Sequence, residues 1–579
     1  MPGGQARRSG EISHDRHPRV PSTRGVGAGT RSSRRRAGTM NRSKPDERSF
    51  PAVRQRAMAG IGPPPCMASP DTAPGLRAAA PPMMHRGEGL YVWDVQGRCY
   101  LDATSGGVWC VNVGYGRASI ADAVRDQLVE LNYFAGTLGS PVAARFAEAL
   151  IEKMPGMSRV YFSNSGSEAN EKAYKMVRQI AHRKYAGRKH KILYRERDYH
   201  GTTITCLSST GQQERRMQYG PFTPGFVEFP HCCEYRSQFG PVDDYGARAA
   251  RAMEEIILRE GPDTIGAVVL EPITAGGGVI TPPAGYLKAV EAICRKYDIL
   301  IHIDEVVCGL GRTGKWFAYQ HYGIQPDIVT MAKGVASGYA AISCTVTTEE
   351  VFEQFKGEPD DREVYFRDIS TFGGCTAGPA AALENLRIIE REGLLRLQRK
   401  HPLIGEVRGK GLFLGIELVS DRETREPVAE GVAMRVAALC MAKGLIISRT
   451  NRSFADFNNT LCLSPALTIG REQTDQILSI LEQALAEVGE ASEESNRTAG
   501  ISEELAPAWF RPGEADDDRH RANAGEESSS SRETGGTFRG RRDGDGLSEA
   551  VGYEHTSDLV ASHGKTPTLF LPVCGQGKE

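Results

Sequence analysis

Six short apolar runs constrain this chain more than any other feature. They are Arg159–Phe162 (RVYF), Lys191–Tyr194 (KILY), Ala267–Leu270 (AVVL), Ile299–Ile303 (ILIHI), Ile328–Met331 (IVTM) and Ala341–Val346. Each is rich in branched and aromatic side chains and is apolar continuously rather than at every second residue, the pattern of a strand covered on both faces. Amphipathic stretches fall between them, including residues 168–184 and 286–296. Buried strands separated by helices predict an α/β architecture with a doubly wound, mostly parallel sheet. Ligands of such sheets bind at the carboxyl ends of the strands, so the residues just after each run are where chemistry is expected.

The texture changes after about residue 382. A helix at 382–391 leads to alternating short elements at 412–418, 432–443, 445–448, 460–463 and 473–488, which read as a smaller α+β domain. The boundary is expected between 375 and 400: a large domain over 86–390 and a small one over 391–490. The flanks differ in kind. Residues 1–56 carry thirteen Arg and one Lys against four acids, and residues 491–579 carry ten basic residues against seventeen acids. Both are poor in branched apolar side chains and too polar to offset chain entropy by burial. They predict a disordered basic extension over 1–85 and a disordered acidic tail over 491–579.

The whole chain has a net charge of −1, which gives no drive toward nucleic acid. No run approaches the roughly 18 uncharged apolar residues of a membrane span. The thirteen cysteines include no CxxC pair and total an odd number, which favours a reducing compartment over a disulfide framework. His231-Cys232-Cys233 lacks the spacing of a zinc site, and no metal is expected. A cytoplasmic location follows, or an organellar one if the Arg-rich N-terminus acts as a transit peptide.

Four strand ends carry chemistry. Ser165-Gly166-Ser167 follows the first run and opens a helix, so hydroxyls and free N–H groups make an anion cup there, or simply a cap. Tyr199-His200-Gly201 follows the second, offering an aromatic ring to a planar ligand or forming a turn. Asp304 ends the ILIHI run, and a buried acid needs a donor or cation. Lys333 follows the IVTM run; a lysine leaving a buried strand is desolvated, which suits its amine to Schiff-base chemistry. A phosphate cup, a ring stacker, an acid for a ring nitrogen and an amine for an aldehyde are what pyridoxal 5′-phosphate requires. A decoy lies nearby. GLGRTGKW (309–316) nearly spells a nucleotide-binding P-loop, but Trp316 stands where that loop needs a hydroxyl for Mg²⁺.

These segments resemble the class III aminotransferases, of PLP fold type I. The likeness is carried by SNSGSEAN (163–170), YHGTT (199–203), LEPITAGGGVITPPAGYL (270–287), HIDEVVCGLGRTGKWFAYQHYGIQPDIVTMAKG (302–334), STFGG (370–374) and VRGKGLFLGIEL (407–418). It spans about residues 86–488. Within the family, 160–203, 229–236 and 450–467 are most similar to members acting on taurine and pyruvate. The resemblance implies that Lys333 holds the coenzyme and moves the substrate proton, and that Asp304 keeps the pyridine nitrogen protonated. It implies that Ser165, Gly166 and Ser167 bind phosphate, that Tyr199 covers the ring, and that His200, Glu271 and Val306 complete the cleft. Thr371 would reach the phosphate of a neighbouring subunit in a homodimer or dimer of dimers, and residues 86–110 would also contribute to the small domain. Trp109 would wall the substrate pocket, and Arg449 or Arg452 would bind the substrate's acid group; Arg408 reads as structural.

The expected reaction moves the amino group of an ω-amino acid, with taurine ahead of β-alanine, 4-aminobutyrate or a diamine, to pyruvate. The chain departs from the family between Leu395 and Val407, where several helical turns are missing. That shortening and the charged flanks keep open a reading of another class, a non-catalytic protein with an aminotransferase-like fold.

Overall fold

A computed structural model describes residues 82–504, except 137, 359, 362, 392–407, 421–423 and 451–458; for 490–504 only the backbone is described. The strands in chain order are β1 (Met84–Glu88), β2 (Tyr91–Asp94), β3 (Cys99–Asp102), β4 (Arg159–Ser163), β5 (Lys191–Arg195), β6 (Phe226–Phe229), β7 (Ile265–Leu270) and β8 (Leu300–Asp304). They continue with β9 (Ile328–Met331), β10 (Ser343–Thr347), β11 (Arg408–Lys410), β12 (Phe413–Glu417), β13 (Leu445–Ile446), β14 (Ser448–Thr450) and β15 (Thr460–Leu463).

The central sheet has seven strands in the order β4-β10-β9-β8-β7-β5-β6. β9, β8, β7, β5 and β6 are mutually parallel, while β10 runs antiparallel to both its neighbours. Side-chain alternation divides the strands between two cores. Ile192, Tyr194, Ala267, Val269 and Ile328 pack with Ala173, Tyr174, Met176, Val177 and Ile180 of the helix Gly166–Tyr185. Leu193, Val268, Leu270, Ile301, Ile303, Val329 and Met331 join a larger core with the helices Pro141–Ile151, Tyr245–Glu260, Tyr286–Lys296 and Ala377–Arg391. The inner strands β7, β8 and β9 are therefore mostly apolar, with His302, Asp304 and Thr330 the exceptions, because both faces are covered.

Two small sheets complete the fold. β1-β2-β3 form an antiparallel meander, to which β13 adds in parallel through Leu445 opposite Leu101. β11-β12-β15-β14 form an antiparallel sheet. Leu90, Leu101 and Ala103 share a core with Val436, Leu461, Leu463, Ile477 and Leu481, so the segment after Met84 is built into the C-terminal part of the chain.

Several expectations need correction. The strand expected over 445–448 is broken at Ile447, because β13 serves one sheet and β14 the other. β6 is an additional edge strand. The strand expected from Ala341 begins at Ser343, and β1 begins at Met84, inside the segment expected to be disordered. The final helix, Arg471–Glu504, runs past the boundary at 490 into the expected tail. Its sequence there lacks Pro until Pro507, so nothing local stops it at that boundary. The shortened 395–407 connection lies outside the described residues.

Candidate active site

Alternation along β8 puts Asp304 on the same face as His302, beneath the helix Gly166–Tyr185. The carboxylate is buried. Its Oδ2 accepts from the Asn170 amide at 2.9 Å and contacts His200 Nδ1 at 2.8 Å; its Oδ1 accepts from Val306 N at 3.0 Å. Burial on its own would raise the pKa, but the His200 contact, the Val306 N–H and the Asn170 amide outweigh it and hold the carboxyl below the usual aspartate value. Asp304 is thus an anion kept charged inside the protein.

Asn170 lies one turn beyond Gly166, on the same helix face. Its amide also donates to His200 O at 2.6 Å, and its Oδ1 accepts from Thr330 Oγ1 at 2.7 Å. Thr330 in turn contacts His302 Nε2 at 3.0 Å, and burial pulls that histidine down to about 3, so it is neutral. One side chain therefore joins the helix start, the end of β8, the loop after β5 and β9.

The helix start is built as an anion cup. Ser165 is the N-cap, its hydroxyl accepting from Glu168 N at 3.2 Å, and Glu168 reaches back to Asn164 N at 2.6 Å. The N–H groups of Gly166 and Ser167 fall in the first turn, where no carbonyl of the helix can meet them. Ser167 Oγ accepts from Thr202 N at 3.0 Å, leaving its own hydrogen to donate. This approach depends on Gly201: a methyl there would lie 2.5 Å from Ser167 Oγ, and its φ of +146° suits glycine. A methyl placed on Gly166 would meet Val306 at 3.3 Å and Ala332 at 3.8 Å. The cup, the residue after Asp304-Glu305 and the residue before Lys333 thus converge on one point.

Lys333 opens a short 3₁₀ turn, Lys333–Val335, with φ of 37°. That conformation costs of order 1–3 kcal/mol and persists only where the surroundings over-determine it. Its Nζ lies 5.9 Å from the centre of the Trp109 ring. Trp109 ends a tight turn, Ser105–Trp109, packs edge-on against Phe413 at 6.0 Å, and buries an Nε1–H that has no partner among the described residues.

The loops after β5 and β7 are locked together. Glu271 accepts from Tyr199 N at 2.9 Å and Ala275 N at 3.0 Å; burial, then the charges of Asp198 and Asp304, push its pKa well up. Arg195 and Asp198, neither with any exposed side-chain surface, form an ion pair at 3.0 Å. Arg195 Nη2 also donates to Glu271 O at 2.6 Å and Thr274 Oγ1 at 3.0 Å, and Asp198 Oδ2 accepts from Glu271 N at 2.9 Å. The Tyr199 ring carries the Arg215 guanidinium 4.8 Å from its centre.

Other expected residues lie elsewhere. Thr371 sits at the surface, near the exposed Ile369 and Phe372. Arg449, on β14, pairs with Glu430 at 2.5 Å, at the start of the helix Glu430–Ala442. Arg452 is outside the described residues. Arg408 binds Glu417, Gly278 O and Thr460 Oγ1. No group of three or more His, Cys, Asp or Glu among the described residues could hold a metal.

Comparison with known proteins decides what this arrangement belongs to. The profile of the family described as aminotransferase class-III matches residues 76–485. The chain is 64% identical over 423 residues to the hypotaurine/taurine–pyruvate aminotransferase of Paracoccus denitrificans, covering 70% of this chain and 92% of that one.

The chain belongs to the class-III aminotransferase family.

A taurine–pyruvate aminotransferase of Bilophila wadsworthia is 58% identical, with 70% of this chain and 93% of that one covered. An aminotransferase structure from Bacillus anthracis superposes with a TM-score of 0.66 at 40% identity, covering 71% of this chain and 94% of that one. The fold is PLP fold type I, and class-III aminotransferases use pyridoxal phosphate. The donor set fits that cofactor. It offers an ionised carboxylate for a protonated ring nitrogen, unpaired helix-start N–H groups and a hydroxyl for a phosphate, and an amine for an aldehyde. Sequence reasoning missed Asn170, Thr330 and the Arg195–Asp198 pair. The available signal was that a buried Asp304 requires donors, and Asn170 stands four residues from Gly166 on the expected helix.

Proposed function

We propose that this class-III aminotransferase moves the amino group of taurine to pyruvate, giving sulfoacetaldehyde and L-alanine. The observation that carries an active transferase, rather than an inert relative, is the buried anion at Asp304. It is held charged by three donors beside the turn that presents Lys333. A protein that had lost catalysis would have no use for so costly an arrangement. Taurine and pyruvate are supported by relatives at 58–64% identity whose names specify them.

Pyridoxal phosphate, when bound, supplies an electron sink for the charge that develops at the amine-bearing carbon. Lys333 would hold it through its amine, and Gly166 N, Ser167 N and Ser167 Oγ would bind its phosphate, with Ser165 capping the helix beneath. Asp304 would keep a proton on the ring nitrogen, oriented by Asn170 and His200. Val306 and Tyr199 would flank the ring, and Glu271 would fix the Tyr199 loop through Tyr199 N. Lys333 Nζ, when not engaged in holding the cofactor, would take the proton from the amine-bearing carbon and later return one to the pyruvate-derived carbon. Trp109 would wall the pocket and exclude water from that transfer.

A sulfonate needs a cation, and the planar fork of arginine suits it. Arg449 and Arg452 are the candidates; Arg449 would exchange Glu430 for the substrate. The exposed stretch with Ile369, Thr371 and Phe372 supports assembly as a homodimer or dimer of dimers, with Thr371 reaching the partner's phosphate site. A large domain over 86–390 and a small one over 391–490, with residues 86–110 also contributing to the small one, fit the shared cores. The eleven described cysteines are all free, in keeping with a cytoplasmic setting.

A donor panel with pyruvate as acceptor, read as alanine formed, tests the reading. The highest kcat/KM is expected for taurine. A strong preference for β-alanine or a diamine removes the taurine assignment, and no transfer from any ω-amine removes the transferase itself.

A further inference from the structure

We infer that Asn112 is a positioning residue, which together with Arg312 sets the backbone of Lys333 and the turn bearing Trp109 on one common support. The inference rests on the reading of Lys333 as the cofactor-bearing amine.

Asn112 is 1% exposed, and all its polar groups are engaged. Nδ2 donates to Leu310 O at 3.0 Å, Oδ1 accepts from Arg312 Nη2 at 2.7 Å, and its carbonyl accepts from Leu467 N at 2.7 Å. The flat amide lies directly on Gly334, the residue after Lys333. A methyl built on Gly334 would stand 2.3 Å from Asn112 Nδ2, 2.9 Å from Cγ and 3.2 Å from Oδ1. The carbonyl side of the same turn is gripped by Asn385, whose amide donates to Gly334 O at 2.9 Å and Val335 O at 3.0 Å. One residue further along, Val113 N donates to Ser337 Oγ at 3.0 Å. Gly334, the residue after the left-handed Lys333, is therefore held between two asparagines, the kind of surrounding constraint that such a conformation requires.

Arg312 carries the support to the pocket wall. It has no exposed surface, and besides Asn112 its Nη2 donates to Ser105 Oγ at 3.0 Å, while Nη1 donates to Pro465 O at 2.5 Å. Ser105 opens the turn that ends in Trp109. No carboxylate bonds Arg312 among the described residues, so its charge is buried at a cost that ion pairing does not offset. What the guanidinium does accomplish is to tie the Trp109 turn, Asn112 and the stretch after β15 to one group. A shift of Asn112 would move the amine of Lys333 relative to the wall it faces.

The test is Gly334→Ala in two backgrounds, wild type and Asn112→Ala. All three atoms crowding the added methyl lie beyond the Asn112 Cβ, so N112A removes them. In wild type, G334A is expected to lower kcat on the order of 100-fold, as misplacement of a reacting group by about 1 Å does. It should also move the pH midpoint of the bound cofactor's visible absorption. In N112A the further loss from G334A should be at least roughly 10-fold smaller, the coupling expected of groups in contact. Equal losses in the two backgrounds overturn the inference. If G334A folds in neither background, N112A decides alone. A lowered kcat with a displaced absorption midpoint and unchanged far-UV circular dichroism sustains the inference; wild-type values of both overturn it. Borohydride reduction and peptide mapping of each variant separate this from the underlying reading, since a cofactor fixed anywhere but Lys333 sinks that reading regardless of the coupling.

Discussion

Glu305 follows Asp304 directly, yet it meets a different environment. Its Oε1 accepts from Tyr319 N at 2.8 Å, and its Oε2 is buried with no partner among the described residues. Burial raises its pKa from 4.5 to about 8, against the Tyr319 and Ala318 N–H groups that favour the charge; the Asp304 carboxylate adds to the rise. The sign of the linkage follows. An unfolded chain releases this proton near 4.5, while the folded protein keeps it until about 8. Between those values the folded state binds a proton that the unfolded state does not, so stability falls as pH rises through the window. A difference of this size corresponds to about 5 kcal/mol across the window, at 1.36 kcal/mol per unit.

Glu305→Gln fixes the side chain in a neutral, nearly isosteric form that still accepts from Tyr319 N. Urea unfolding of the cofactor-loaded proteins, at steps from about pH 5 to about pH 9, should show the wild type losing stability relative to E305Q as pH rises toward about 8. The comparison cancels every other titrating group. Parallel curves for the two proteins would refute the claim that Glu305 is neutral in the fold. A loss confined to the range above about pH 8 would refute the claim that its unfolded reference lies near 4.5.

Three further outcomes are expected. Asp304→Asn sets an amide against the three donors at Asn170, His200 and Val306 and removes the charge opposite the ring nitrogen; kcat should fall at least about 100-fold in single-turnover assays while cofactor is still bound. Arg195→Ala leaves Asp198 buried without its partner and should cost about 3–5 kcal/mol in denaturant unfolding. Arg449→Met should raise KM for taurine roughly 10-fold or more, the loss of one charge-assisted hydrogen-bonded contact, with little change in KM for an uncharged amine donor; an unchanged taurine KM assigns the sulfonate to another cation.

The chemistry was legible where it sat on the backbone's main punctuation. Lys333 and Asp304 stand out because each ends an apolar run, and the helix over 286–296 stands out because its period is regular. The direction of β10 was not legible. Ser343–Thr347 is buried at every position, as the parallel strands β7 and β9 are, and burial on both faces says nothing of which way a strand runs. β6 escaped because Phe226–Phe229 is an edge strand, paired on one side and exposed at Glu228. Asn170 and Asn112 were hidden for another reason. A polar residue near an apolar one looks the same in sequence whether it caps a turn or orients a carboxylate, and only the long-range partners distinguish them: Asp304 for Asn170, Arg312 and Gly334 for Asn112. Arg449 was found as a cation, but its pairing with Glu430 spans the start of a helix and a strand, which local pattern does not connect.

The two neighbouring acids show what makes this site possible. Asp304 and Glu305 are 3% and 1% exposed, so exposure cannot explain why one pKa falls and the other rises. The difference is the set of donors each meets. The end of β8 brings Asp304 under the first turns of a helix, against a loop from β5 and onto the N–H of its own next-but-one residue, three sources of hydrogen bonds that no single element could supply. Glu305 points where backbone N–H groups of one short turn are its partners, and it keeps its proton. A parallel sheet gathers strand ends and helix starts at one edge, so it is there that a buried anion can be held without a bound cation. By the same reasoning Asp304 should keep its charge before the cofactor arrives. The protein then meets an incoming ring nitrogen with a ready-made counter-charge, and binding has no ionisation step to drive.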